Sequence, residues 1–216
     1  MCIRGSMRLK ELELMLEEVP NFIEPNEYLE QYVTPSSIAA YILWQAYMSG
    51  DIEGRRVIDL GCGTGVFTYG ASLLGAKEVL CIDLDPKALG QARSFITKHY
   101  LGSIIHYIIC DIRSALAIRP SRSCTVIMNP PFGIKSRGAD MDFLRVATEL
   151  CDTIYSIHKY SEGFINLLRN LCEDRGCMYS IVSKVLFPIR YFLKHHRRKV
   201  YYVDAVIVKL RKSKEI

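Results

Sequence analysis

Asn129-Pro130-Pro131-Phe132 is the stretch of this 216-residue chain whose residue types point most directly to chemistry. Two successive prolines hold φ near about −65° and push the residue before each into an extended conformation, so the Asn129 amide and the Pro130 carbonyl are rigidly aimed. Both offer oxygen acceptors, a pair suited to the two protons of an exocyclic NH2 group. The lone pair of such a nitrogen is delocalised into its ring, and holding both protons out of plane frees it to act as a nucleophile. Phe132 supplies a flat apolar face for a stacked base. The step needs no strong general base, and no Ser-His-Asp or Cys-His arrangement is legible. Without chemistry, the same stretch reads as a turn at a strand end.

A second constellation lies upstream, ending 64 residues before Asn129: Asp59-Leu60-Gly61-Cys62-Gly63-Thr64-Gly65. Its glycines let the chain turn sharply and let a ligand approach the backbone with no Cβ in the way. Nucleotide dehydrogenases use a related loop, but with a third glycine at an offset missing here. Asp83 follows Gly65 by eighteen residues, where a carboxylate can bridge two ribose hydroxyls. Asp111 is placed to accept from an adenine amino group while Ile112 covers the ring. Each aspartate alone reads as a cap or turn residue; the three strand ends together read as a nucleoside site.

These residues need strands to carry them. Buried apolar runs predict strands at 56–60, 78–83, 105–110, 124–128, 178–183 and 201–210, and helical spacing predicts helices at 36–48, 66–74, 86–100, 142–159 and 163–173. An amino-terminal helix carrying Leu9, Leu12, Leu16 and Val19, with Ser6 as its N-cap, stops before Pro20. Strand-helix alternation implies an α/β fold, a mostly parallel sheet with helices on both faces and its ligand site at the carboxyl ends of the strands. The expected organisation is one domain over 1–216, with a helical extension at 1–50 and a basic part at 184–216.

Charge is unevenly placed: residues 1–31 carry three basic and seven acidic side chains, whereas 184–216 carry ten and two. A basic end of this density suits a phosphate backbone, although a solvated loop has the same composition. The most apolar run, Ile38 to Trp44, is far shorter than the roughly 20 residues a membrane crossing needs. The amino terminus lacks the apolar region of a secretory signal, so the expected compartment is the cytoplasm, or the nucleus in a eukaryote. The eight cysteines form no C-x-x-C pair. The expectation is no metal, and free thiols in a reducing environment.

The set D-x-G-x-G-x-G, Asp83 and Asp111 resembles the class I S-adenosylmethionine-dependent methyltransferases. The resemblance covers about 56–210 and implies a seven-stranded sheet with one antiparallel strand near its edge. It also implies that Gly61, Thr64 and Val66 border S-adenosylmethionine, with Asp59 and Gly63 in the same loop, Asp83 at the ribose and Asp111 at the adenine. Adding N-P-P-F, the set resembles enzymes that methylate planar nitrogens: adenine N6, guanine N2 or a protein glutamine amide, the last typically with Tyr in place of Phe132. Gln31-Tyr32-Val33-Thr34-Pro35 resembles the segment that adenine-N6 enzymes fold over the cofactor, which implies Gln31 and Thr34 at its methionine end.

The whole chain is similar to the small-subunit ribosomal RNA adenine-N6 methyltransferase family. The matching stretches are R-L-K-E-L-E (8–13), L-E-Q-Y-x-T (29–34), D-L-G-C-G (59–63), V-I-M-N-P-P-F-G (126–133) and Y-S-I-H-K (155–159). That resemblance implies structured RNA as substrate and a small zinc-ribbon activator protein covering an apolar sheet edge, for which 77–82 is the expected strand. Lys135, Arg137, Lys159, Arg197 and Arg198 are the expected contacts to the RNA backbone. A guanine-N2 enzyme, a glutamine-N5 enzyme and a non-catalytic RNA-binding subunit are the competing readings.

Overall fold

The computed structural model describes residues 7–99, 101–114, 118–133, 135–190 and 200–212. Helices α1 (Leu9–Glu17) and α2 (Ser36–Met48) come first, joined by an irregular strap that holds a 3-10 turn at Glu27–Leu29. The alternation follows: β1 (Arg56–Leu60), α3 (Val66–Leu73), β2 (Glu78–Asp83), α4 (Pro86–Ile96), β3 (Ile104–Ile109), β4 (Ser121–Met128), α5 (Ala139–Leu150), β5 (Cys151–Lys159), α6 (Glu162–Arg175), β6 (Cys177–Arg190) and β7 (Val200–Lys212). Ser6 lies outside the described residues. The N-cap of α1 is Arg8, whose backbone N–H donates to the Glu11 carboxylate at 2.9 Å.

The strands form one seven-stranded sheet in the order β3-β2-β1-β4-β5-β7-β6. The β7 strand runs antiparallel to β5 and β6, and the pairings among β1 to β5 are parallel. The chain runs outward from β1 through β2 to β3, then returns to the other side of β1 as β4. Strand order therefore reverses between β1 and β4, and a crevice opens at their carboxyl ends. Helices α1 to α4 cover one face through Leu16, Leu43, Phe67 and Leu89, while α5 and α6 cover the other through Leu144 and Leu168. The continuous burial of β1 and β2 follows from this double cover.

Three expectations fail. The single helix expected over 142–159 is α5 followed directly by β5. The apolar face of α5 ends at Leu150, and from Cys151 the chain fills the slot between β4 and β7, where Thr153 to His158 are all buried. The expected edge strand at 77–82 is an interior one: β2 is hydrogen-bonded to β1 and β3, and β3 is the edge because the outward winding ends there. The thiols are not all free. Cys62, in the turn after β1, is bonded to Cys81 of β2, and Cys124 of β4 to Cys151 of β5, with Cα separations of 5.5 and 5.2 Å. Among the described residues Cys110, Cys172 and Cys177 are free.

The basic part expected at 184–216 enters the sheet, with 184–190 in β6 and 200–212 in β7. Among the described residues no helix is long and apolar enough to cross a membrane.

Candidate active site

The crevice between β1 and β4 is a cleft of about 1210 Å³, solvent at its mouth included. The turn after β1 forms its floor. Gly61, Gly63 and Gly65 have φ of +77°, +52° and +89°, a region that side chains with a Cβ rarely adopt. A Cβ at Gly61 would lie 2.9 Å from Phe143 Cε1, and one at Gly63 would lie 2.7 Å from Phe22 Cζ. The loop thus runs between a strap ring and an α5 ring that leave no room for a Cβ at Gly61 or Gly63 where they stand.

Two carboxylates brace this turn and the helix that follows it. Asp83, at the end of β2, accepts the Gly63 N–H at 2.7 Å and the Asp85 N–H at 2.9 Å, and burial raises its pKa. Asp59 lies wholly buried behind the loop. One of its oxygens accepts the Thr68 N–H at 2.8 Å and the Thr68 hydroxyl at 2.7 Å, and the other has no hydrogen-bond partner. Desolvation pushes the Asp59 carboxyl up to about 7. At the end of β3 the Arg113 guanidinium holds Asp111 at 2.7 and 3.0 Å, which lowers its carboxyl below the usual range, and Ile112 is buried beside it.

On the β4 side, Asn129 Nδ2 donates to Thr34 Oγ1 at 3.0 Å, and Asn129 Oδ1 is buried with no hydrogen-bond partner. A carbonyl oxygen left this way costs about 1–3 kcal/mol. Such a cost is tolerable where a ligand supplies the donor. Gln31 faces elsewhere, its Nε2 donating to Asp85 Oδ2 at 2.8 Å at the β2 end of the cleft.

Of the residues singled out from the sequence, Gln31, Thr34, Gly61, Gly63, Thr64, Val66, Asp83, Asp111, Ile112, Asn129 and Pro131 line this one cleft. Asp59, Pro130 and Phe132 are not part of its lining. Phe132 is the correction of consequence, because it is only 7% exposed. Its ring packs edge-on against Phe187 at 5.2 Å and tilted by 41° against Tyr32 at 6.0 Å. A large ring beside the strap and the β6 strand completes the core, and the ring presented to the cleft there is Tyr32. Lys135, Arg137 and Lys159 are exposed, and Arg197 and Arg198 lie outside the described residues.

Phe22, Glu30 and Phe143 were missed by sequence reasoning, although each lines the cleft. Phe22 and Phe143 lie on the strap and on α5, and no motif ties either to the glycine turn. Glu30 carried a signal: it sits in the L-E-Q-Y-x-T stretch, next to Gln31.

The glycine cradle, the carboxylate at the end of β2 and the unpartnered acceptor at Asn129 fit a nucleoside cofactor lying across the β1 and β2 ends with an amine beyond it. The family model "Ribosomal protein L11 methyltransferase (PrmA)" matches residues 41–110, the cofactor half, and stops short of Asn129. The chain is 36% identical over 200 residues to the rRNA N(6)-adenosine-methyltransferase METTL5 of Danio rerio, covering 89% of this chain and 93% of that protein. It is 34% identical over 197 residues to the corresponding Mettl5 of Drosophila melanogaster, covering 89% and 91%. The crystal structure of a putative RNA methyltransferase, PH1948 from Pyrococcus horikoshii, superposes with a TM-score of 0.80 at 36% identity, covering 95% of this chain and 98% of that one.

Proposed function

Because the chain belongs to the family of METTL5-like rRNA N6-adenosine methyltransferases, we propose that it methylates N6 of an adenosine in small-subunit rRNA. Its cofactor is S-adenosylmethionine, which when bound supplies an electrophilic methyl group on a sulfonium. The observation that carries the reading is the buried, unpartnered Oδ1 of Asn129 in a cleft floored by the glycine turn.

The chain's own residues have limited work to do. Asn129 Oδ1 accepts an N6 proton, which draws the nitrogen lone pair out of conjugation with the ring. Thr34 fixes the direction of the Asn129 amide from behind. A methylated, still-protonated N6 is acidic and loses its proton to water, so no buried base is required. The adenine has to leave its stack to reach this depth, which single-stranded or looped RNA permits at the lowest cost.

Exposed Lys135 and Arg137 lie in the acceptor loop and Lys159 ends β5, and in this reading they carry the RNA backbone together with Arg197 and Arg198. The activator partner belongs on β3. Its outer edge has no strand neighbour among the described residues, and Ile104 and Ile109 on it are 62% and 63% exposed. An Ile104→Lys variant is expected to lose a zinc-ribbon partner in co-purification while keeping cofactor affinity.

The test is methyl transfer from labelled S-adenosylmethionine to deproteinised small- and large-subunit rRNA offered separately, with and without the activator. Label confined to the small-subunit RNA supports the reading. Label confined to the large-subunit RNA, or to ribosomal protein, contradicts it.

A further inference from the structure

Five consecutive strap residues reach both halves of the site. Gln31 accepts the Asn26 N–H at 2.7 Å and donates to Asp85 at 2.8 Å, and the Asp85 N–H in turn donates to Asp83 at the cofactor end. Thr34 holds Asn129 at the acceptor end. Glu30 opens this stretch and reaches the loop after β4. It is 6% exposed, and its two oxygens accept the Lys135 backbone N–H at 2.6 Å and the Tyr32 hydroxyl at 2.7 Å. Lys135 belongs to the loop that begins with Asn129.

The backbone sharpens the point. Glu30 has φ 50° and ψ 45°, and it is the sole non-glycine residue with positive φ among the described residues. Glycine or asparagine would adopt that conformation at lower cost. A glutamate there is explained by its side chain, which spans the gap between the strap and the acceptor loop. The left-handed turn also sends residues 30 and 31 apart, one toward β4 and the other toward β2.

We propose that Glu30 is a positioning residue, a latch that sets the acceptor loop when the strap closes on the cofactor side, so that cofactor binding prepares the site for RNA. The latch rests on the reading of the cleft as an RNA methyltransferase site. It couples two ligands thermodynamically: the factor by which bound cofactor tightens RNA binding is the factor by which bound RNA tightens cofactor binding.

The experiment measures the affinity of a small-subunit rRNA fragment with and without saturating S-adenosylhomocysteine, in the native chain and in Glu30→Ala, Glu30→Gln and Glu30→Gly. In the native chain S-adenosylhomocysteine is expected to tighten RNA binding about fivefold or more. Glu30→Ala is expected to remove that tightening and to lower kcat/KM for RNA about tenfold, with S-adenosylhomocysteine affinity within about threefold of native. Glu30→Gln keeps an acceptor for the Lys135 N–H and is expected to recover most of the coupling. Glu30→Gly relieves the backbone and lacks the latch, so it is expected to behave as Glu30→Ala. Native coupling in Glu30→Gly would assign the position a backbone role and overturn the latch, as would undiminished coupling in Glu30→Ala. A native chain that methylates rRNA with no coupling overturns the latch alone. One that neither binds nor methylates rRNA overturns the functional reading beneath it.

Discussion

The side-chain amide of Asn129 donates to the hydroxyl oxygen of Thr34 at 3.0 Å, across 95 residues of sequence. This bond decides which end of the amide is committed. With Nδ2 directed to Thr34, Oδ1 remains as the buried acceptor. The strap thereby takes part in orienting the residue proposed to meet the amine.

Replacing Thr34 by Val removes the acceptor and leaves Nδ2 without a partner. The loss of one buried hydrogen bond is worth about 1–1.5 kcal/mol, which corresponds to a drop of about tenfold in the methyl-transfer rate. Thr34→Ser keeps the oxygen and is expected to stay within about threefold of native. Single-turnover kinetics at saturating cofactor read this directly.

Asn129→Ala removes the acceptor itself. The expected loss is about 10²–10³ in kcat, the range for deleting one preorganised polar group that acts on the reacting centre. Cofactor affinity, measured by calorimetry without RNA, is expected to change by less than about threefold, because Asp83 and the glycine turn are untouched.

Gly63→Ala tests the cofactor floor. The new Cβ meets Phe22 Cζ at 2.7 Å on a backbone with φ of +52°. Either the Phe22 ring or the turn has to give, the backbone stays strained, and S-adenosylhomocysteine affinity is expected to fall by about tenfold or more. Phe22→Ala in the same chain relieves the contact but not the backbone strain, so it is expected to restore only part of the affinity.

Asp59 gives the fold a pH dependence whose sign is fixed by its environment. Burial lifts its carboxyl to about 7, against about 3.9 in an unfolded chain. Between those values the folded state keeps a proton that the unfolded state has lost, so this contribution is full below about pH 4 and fades as pH rises through about 7. His158 acts in the opposite sense. Burial pushes its imidazole below the ordinary value, so its contribution is present above about pH 6.5 and is lost as pH falls through the folded pKa. Asp59→Asn isolates the first effect. Urea denaturation from about pH 4 to about pH 7 is expected to show the stability of the variant rising relative to native as pH increases. Parallel curves would contradict the assignment.

The central half of the fold was legible because its signals are local. Ser36–Met48, Arg56–Leu60 and Glu78–Asp83 have the bounds expected from apolar runs punctuated by proline, glycine and aspartate. The β5 strand was not legible, since a short buried apolar run follows α5 without a break and periodicity cannot separate the two. The edge strand and the Cys62–Cys81 and Cys124–Cys151 pairs depend on which strands become neighbours, a property of the strand order that no window of sequence contains. In the site, glycines and strand-end aspartates announced themselves by type. The burial of Phe132 is set by Phe187 and Tyr32, which arrive from β6 and the strap. Glu30 sat within a matching motif, yet its link to the Lys135 N–H involves a backbone group that sequence does not mark.

Nucleoside mass spectrometry after incubation of the chain with isotopically labelled S-adenosylmethionine and small-subunit rRNA tests the central claim most directly, with Asn129→Ala as the paired control. The account predicts labelled N6-methyladenosine from the native chain and none above background from the variant. Labelled N2-methylguanosine, or N6-methyladenosine made equally well by Asn129→Ala, would contradict it.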